Sequence, residues 1–230
     1  MNPISPKAID PAHVESNMTE PFTPSPEFSA ELDRLFVWRR DVRRFRPDHL
    51  EAGVLEALIA RACLAPSVGN AQPWRFLSVE TPSLREKVII NFEHENNMAA
   101  QDYEGEQASL YAQLKLAGLK EAPVHLAVFS DSDTQAGAGL GRRTMPETLA
   151  YSTICAIHTL WIAARAQGIG VGWVSILDPE RLCVDLDTPP NWQFIAYLCI
   201  GYPIENHDDP ELVRHGWQGR IASGHVFSRK

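Results

Sequence analysis

The chain has 230 residues and a formal net charge of −8. A chain of this length can bury about 70% of its unfolded surface, so it needs no metal or disulfide to hold a core together. The acidic balance argues against nucleic acid or an anionic membrane as the main partner. No apolar run is long enough to span a bilayer and none follows Met1, so neither a membrane anchor nor a signal peptide is expected.

The cysteines show no pairing pattern. Each stands alone in an apolar segment, at Cys63, Cys155, Cys183 and Cys199. Without a CxxC pair, they are predicted to be buried thiols of a protein in a reducing cytoplasm.

The first part of the chain divides into an arm and two helices. Residues 1–27 contain six prolines and little periodicity, which predicts a flexible arm, with a single domain over 28–230. Helical spacing of apolar residues predicts a first helix over 28–40. Asp48 is predicted to cap a second helix, which stops near Pro66.

The remainder alternates strands with helices. Apolar runs predict strands near 74–79, 124–129, 171–177 and 192–201. Between them, 82–121 predicts two helical segments around the polar patch 93–97. Residues 146–167 predict the longest helix, buried on all sides, with His158 as an interior or interface histidine. This pattern indicates a layered α+β or α/β domain.

One stretch, residues 39–46, concentrates positive charge. It holds five of the chain's twenty-one lysines and arginines. Arginine forks match two phosphate oxygens at once, so the stretch predicts a site for a small anion. The alternative is a solvated helix end, which is the commoner role of a charge run.

Three other segments have features that can indicate a ligand-binding site. The loop 65–76, with two prolines and a glycine, can present polar side chains or serve as a plain connection. Glycines at 170 and 172 beside Trp173 allow a flat ligand or another chain to approach a strand closely. The run 137–142 fails as a dinucleotide fingerprint, because Arg142 stands where a glycine is needed, so a mobile connection is expected. His94 has no second ligand at metal-binding spacing.

Several segments together resemble a known family. The FMN-binding nitroreductase-like family is resembled by residues 38–45 (WRRDVRRF), 65–74 (APSVGNAQPW) and 168–172 (GIGVG). Its branch of 5,6-dimethylbenzimidazole synthases is resembled by residues 114–124 (LKLAGLKEAPV), 144–152 (TMPETLAYS) and 170–179 (GVGWVSILDP). The resemblance covers about residues 30–205.

The resemblance implies a three-layer α+β fold, with a mixed or antiparallel sheet between helices, and a homodimer with FMN at the subunit interface. It implies cofactor contacts from Arg39, Arg40, Asp41, Val42, Arg43, Ser67, Asn70 and Ser175. The arginines would hold the phosphate and ribityl chain, and the strand around Trp173 would lie along the flavin ring. No metal is implied, and residues 91–121 are candidates for a lid.

The branch implies an unusual reaction. Reduced FMN, delivered by a separate flavin reductase, would be the substrate. With O2 it would fragment to 5,6-dimethylbenzimidazole, the lower ligand of vitamin B12, and erythrose 4-phosphate. Asp41 would be the acid/base group, and Ser175 would stabilise an intermediate near the ring.

Alternatives remain open at each of these points. Asp41 could simply pair with an arginine, the candidates being Arg40, Arg44 and Arg75. Ser175 could be a core-strand serine bonded to the backbone. The chain could also be an NAD(P)H-dependent nitroreductase or flavin reductase, or a flavin carrier without turnover. Whether Arg220 completes the phosphate site is open, because residues 221–225 lack the apolar tail usual in the family.

Overall fold

The structure is a computed structural model and describes residues 23–228. Within these residues the helices are α1 Pro26–Trp38, α2 Val54–Ala62, α3 Pro82–Ala100, α4 Gly105–Tyr111, α5 Thr148–Arg165, α6 Pro179–Asp185 and α7 Glu211–Arg214. The strands are β1 Trp74–Ser78, β2 Val124–Asp131, β3 Gly170–Val174 and β4 Trp192–Gly201. Short 3₁₀ turns occur at Val68–Asn70, Ala136–Gly139 and Ser223–His225.

The strands form one antiparallel sheet in the order β1-β2-β4-β3. Successive side chains of a strand point to opposite faces, and along β2 the two faces serve two cores. Leu126 and Val128 pack in one core with residues of α2 and α5. Ala127 and Phe129 pack in the other with Val88 of α3 and residues of α6. Helices therefore cover both faces, and the predicted three-layer α+β fold is confirmed.

Several predicted boundaries were wrong for identifiable reasons. The second helix starts at Val54 after Gly53, which has a left-handed backbone (φ 83°). Asp48 does not cap it, because its carboxylate accepts a hydrogen bond from Arg46 Nε at 2.6 Å. The polar patch 93–97 lies inside α3, which at 19 residues exceeds the 18 of α5.

Helix α5 is buried on one side only. Its inner face includes Ile157 and Leu160, whereas Tyr151, Ile154 and His158 are exposed. The prediction of a helix buried all round was wrong, and His158 is not an interior histidine. An apolar outer face leaves α5 with a surface suited to a further contact.

Strand β3 ends at Val174, earlier than predicted. Asn91 of α3 is buried and fixes the chain just beyond, accepting from Asp178 N at 2.8 Å and donating to Asp178 O at 3.0 Å. Ser175 is therefore an exposed residue after the strand, so the predicted strand end was wrong and the alternative of a core-strand serine is excluded.

The cysteine prediction holds only for Cys199, which is buried. Cys183 is half-buried, and Cys63 and Cys155 are exposed. Among the described residues no helix is long and apolar enough to cross a membrane. The cytoplasmic location stays a prediction. Of the predicted arm, residues 1–22 lie outside the described residues. Helix α1 begins inside the remainder, at Pro26, with Ser25 Oγ accepting from Phe28 N at 3.1 Å.

Candidate functional site

The basic stretch lies against β3 because glycines leave room for it. Val42 N donates to Val171 O at 3.1 Å, and Asp41 forms a parallel bridge with Val171. A Cβ at Gly172 would lie 2.0 Å from the carbonyl oxygen of Val42, and a Cβ at Gly170 would lie 2.8 Å from its side chain. The close approach predicted for a flat ligand or another chain is therefore made at these glycines by this chain's own backbone.

Asp41 is held at both carboxylate oxygens. Oδ1 accepts from Trp173 N at 2.8 Å, and Oδ2 accepts from Arg43 Nε at 2.7 Å. Although 29% of the side-chain surface stays accessible, burial raises the pKa of the carboxyl above its ordinary value, against the opposing charge of Arg43 and the Trp173 hydrogen bond. The alternative that Asp41 pairs with an arginine is therefore confirmed, but the partner is Arg43 and none of the candidates Arg40, Arg44 and Arg75.

Arg43 links Asp41 to the segment that follows α4. Its Nε bonds Asp41, and its Nη1 donates to Lys115 O at 2.9 Å. Lys115 in turn forms an ion pair with Glu121. The Arg43 side chain is only 14% exposed, and its hydrogen bonds to Asp41 and Lys115 hold it in place. Its Nη2 atom remains available to a ligand.

Arg39, Arg40 and Arg220 form no ion pair with a carboxylate among the described residues, and the charges of Arg39 and Arg220 both act on Arg40. Arg40 donates from Nε and Nη2 to Asp208 O at 3.0 and 2.6 Å. Burial lowers the pKa of Arg40, and repulsion from Arg220 and Arg39 lowers it further. The Arg39 guanidinium lies 5.1 Å from the ring centre of Trp161. Because these positive charges repel one another, a bound anion would stabilise them.

Two further arginines near the site, Arg44 and Arg75, are paired with carboxylates. Arg44 pairs with Glu205 and Glu211 at 3.2 and 2.9 Å. Arg75 pairs with Asp131 at 2.6 Å. Neither is left over for a ligand or for Asp41.

The loop 67–72 is closed by its own hydrogen bonds. Ser67 Oγ accepts from Gln72 N at 3.1 Å, and Ser152 Oγ of α5 accepts from Val68 N at 3.0 Å. Asn70 and Gln72 have left-handed backbones, φ 54° and 44°. Asn70 is exposed, and the Ser67 hydroxyl can still donate. The loop therefore presents both side chains named from the sequence.

Ser175 and Asp41 both lie near the end of β3. Ser175 follows the end of β3, two residues beyond the backbone N–H that binds Asp41. The chain thus brings a half-buried carboxyl, bonded to the strand, and an exposed hydroxyl, just after it, to the end of β3.

An aromatic cluster joins the candidate lid to the C-terminal segment. Tyr103 and Tyr111 stack with ring centres 4.9 Å apart, and Trp217 meets Tyr103 edge-on at 5.2 Å. The hydroxyl of Tyr111 donates to Asn96 Oδ1 at 2.8 Å. Trp217 was not among the predicted site residues, although a tryptophan in a polar segment beside Arg220 was an available signal.

The donor set fits a flavin mononucleotide. A phosphate suits the gathered guanidinium groups, and the loop 67–72 and Arg43 Nη2 offer neutral and charged donors to ring and chain oxygens. No group of three or more metal-ligating side chains occurs within residues 23–228, and His94 lies 3.7 Å from Glu95 alone.

Comparisons with known proteins agree on one family. Residues 36–202 match the model of the nitroreductase family. A 5,6-dimethylbenzimidazole synthase of Rhodospirillum rubrum is 54% identical over 195 residues, 85% of this chain and 92% of that protein. One from Rhodobacter capsulatus is 52% identical, covering 84% and 93%.

Solved structures show the same fold. Iodotyrosine deiodinase bound to FMN and 3-iodo-L-tyrosine has a TM-score of 0.65 and 27% identity, covering 76% of this chain and 91% of its own. A nitroreductase-like protein from Streptococcus mutans has a TM-score of 0.64 and 17% identity, covering 88% and 98%.

Proposed function

Since the chain belongs to the nitroreductase family, we propose that it cleaves reduced FMN with O2, giving 5,6-dimethylbenzimidazole and erythrose 4-phosphate. The observation that carries the proposal is Asp41, a half-buried carboxyl held by Trp173 N and Arg43, with a raised pKa, among arginines that suit a flavin phosphate. An enzyme that only recycles flavin has no evident use for an acid there. The names of the close relatives support the same reaction.

The phosphate would be held by Arg39, Arg40 and Arg220. Each hydrogen bond to a charged group contributes about 1.5–3 kcal/mol, so two or three retain a freely diffusing substrate. Arg40, already bonded to Asp208 O, orients the group, whereas Arg39 is free to bind it directly. With Arg220 included, the phosphate site needs no further basic residue from the C-terminal segment.

The ring and ribityl chain would be held by the other predicted residues. Arg43 Nη2, the Val42 backbone, Ser67 and Asn70 supply the contacts. The exposed apolar face of α5 supports a homodimer, in which a second copy would cover that face and help enclose the flavin.

Asp41 would move the proton. Reduced FMN supplies the electrons for O2 and the carbon atoms of both named products, and the pyrimidine part of its ring, whose carbon atoms enter neither, would leave as a third product. Each Asp41 oxygen accepts one hydrogen bond from the protein and keeps a lone pair for a proton or a substrate hydrogen bond. Because Trp173 N and Arg43 fix the carboxyl plane, Asp41 meets the substrate in one orientation. The exposed hydroxyl of Ser175 would donate to the substrate from the same strand end.

Residues 91–121 would serve as the lid that excludes bulk water. Within this segment, Lys115 O accepts a hydrogen bond from Arg43 of the proposed site. Tyr103 contacts Trp217, which joins the lid to the C-terminal segment that carries Arg220. A separate flavin reductase would supply reduced FMN.

The test is mass spectrometry of a reaction in air with chemically reduced FMN. We expect 5,6-dimethylbenzimidazole and erythrose 4-phosphate in the sample with protein and only oxidised FMN in the sample without it. Oxidised FMN alone in both samples would overturn the proposal. Steady NAD(P)H oxidation with a nitroaromatic acceptor, without fragmentation, would instead assign the reductase activity typical of the family.

A further inference from the structure

We propose that the glycine-rich segment 136–141 is a positioning element, which holds the loop 67–72 by direct backbone contact so that Ser67 and Asn70 are set for FMN. The inference rests on the proposed function for the identity of the ligand. It assigns a role to the segment that fails as a dinucleotide motif, and it replaces the expectation of a mobile connection.

The contact leaves no room for side chains. A Cβ at Gly137 would lie 2.3 Å from the carbonyl oxygen of Gly69. A Cβ at Gly69 would lie 2.7 Å from the carbonyl oxygen of Leu140. Backbone atoms of the two segments therefore touch directly, and a backbone cannot rotate away as a side chain can.

The backbone around this contact is unfavourable on its own. Four non-glycine residues among those described have positive φ, and three of them, Asn70, Gln72 and Ala138, lie in these two segments. Such conformations persist only where the surrounding structure enforces them, and they concentrate at ligand sites. The glycine-rich segment supplies part of that enforcement.

Side chains anchor the same pair of segments. Arg142 Nη1 donates to Thr134 O at 2.9 Å, and Thr134 Oγ1 donates to Ala71 O at 3.4 Å. The loop is thus fixed from the segment that precedes α5, as well as from Ser152 of α5 itself through Val68 N. A displacement of 136–141 would be transmitted to the loop rather than absorbed.

Two glycines of this segment form a matched pair for a test. Gly137 and Gly139 have φ of 74° and 77°, so alanine costs similar backbone strain at either. A Cβ at Gly139 would meet only Arg142 Nη2, at 4.0 Å. The difference between Gly137→Ala and Gly139→Ala therefore isolates the contact with Gly69.

The measurement is the Kd of oxidised FMN, from quenching of flavin fluorescence by the full chain, with thermal melting alongside. We expect Gly137→Ala to bind FMN at least about tenfold more weakly than Gly139→Ala, because a displaced loop would lose a hydrogen bond from Ser67 or Asn70 to FMN and one such bond corresponds to about tenfold in Kd. Equal Kd values for the two variants would overturn the proposal.

A second pair serves if Gly137→Ala does not fold. A Cβ at Gly141 would lie 2.8 Å from Val68 Cγ2, a side-chain contact. Gly141→Ala should weaken FMN binding in the native background and leave it unchanged in a Val68→Ala background, where that methyl is gone. An equal loss in both backgrounds contradicts the positioning role.

Failure of the proposed function would look different. A wild-type chain that binds no FMN would remove the ligand, yet hydrogen exchange still reports the contact. The amides of Asn70 and Ala71, bonded to Ser67 O and Val68 O, should exchange faster in Gly137→Ala than in Gly139→Ala. Unchanged exchange at these amides would overturn the positioning role itself.

Discussion

Two halves of one basic stretch are built differently. Asp41 and Arg43 form an ion pair, and their other hydrogen bonds go to the backbone of Trp173 and Lys115. Arg39 lies on an indole ring, and Arg40 is repelled by its neighbours Arg39 and Arg220. The first half has its charges paired without a ligand, whereas the second has guanidinium groups with no carboxylate partner at ion-pair distance among the described residues, which an anion would neutralise. Holding the flavin and cleaving it should therefore respond to separate mutations.

The largest expected effect on FMN binding comes from Arg39→Ala. Because Arg39 forms no ion pair among the described residues, its removal should leave the fold intact. Loss of a charged hydrogen bond to phosphate predicts FMN binding weakened about 10- to 100-fold. Fluorescence titration with FMN measures it.

Riboflavin, which lacks the phosphate, separates the two halves of the site. Arg39→Ala should change riboflavin affinity little. Arg34→Ala, at an exposed pair with Glu31, is the control for loss of surface charge. An equal loss for FMN and riboflavin would mean that Arg39 acts elsewhere than at the phosphate.

Gly172→Ala should displace the half of the basic stretch that contains Asp41 and Arg43. Its Cβ would lie 2.0 Å from Val42 O, which pushes the stretch off β3 and breaks the Trp173–Asp41 bond. Overpacking of this kind costs about 1–3 kcal/mol of unfolding free energy, or a melting temperature lower by several degrees. Calorimetry measures that change, and product yield should fall with it.

Gly224→Ala is the matched control, since nothing lies within 4 Å of its Cβ and its φ is also outside the left-handed region. A Gly172→Ala variant as stable and active as Gly224→Ala would show that the close approach to Val42 does not matter.

The smallest expected effect is a shift in pH dependence. Arg43 opposes the effect of burial on Asp41, so Arg43→Met should raise the pKa of Asp41 further above its ordinary value. The limb of the kcat–pH profile that belongs to Asp41 should then move to higher pH, whether the acid or the base form is active. Arg43→Lys, which keeps the charge, should move it back. A limb that stays or moves down would contradict the assignment.

Local pattern was enough for the fold and for the family. The strand β4 was predicted almost to the residue from its apolar run, because that pattern depends only on neighbours in sequence. The conjunction of the basic stretch, the loop 67–72 and the glycine-rich strand likewise identified one family.

The role of each arginine was beyond local pattern. Arg40 bonds Asp208 and Arg44 pairs with Glu211, partners more than 160 residues away. Five similar side chains in one stretch give no sign of which will meet which distant acceptor. Ser175 was misplaced for the same reason, since the bond between Asn91 and Asp178 lies just beyond the end of β3.

Asp41→Asn tests the central claim most directly. Asn keeps the shape of the side chain and an oxygen for Trp173 N, but it loses the carboxyl that exchanges a proton. In air with chemically reduced FMN, we expect wild-type FMN affinity and a yield of 5,6-dimethylbenzimidazole lower by about 100-fold or more. A variant that forms the benzimidazole at the wild-type rate, or that loses FMN binding in step with product, would contradict the separation of holding from cleaving.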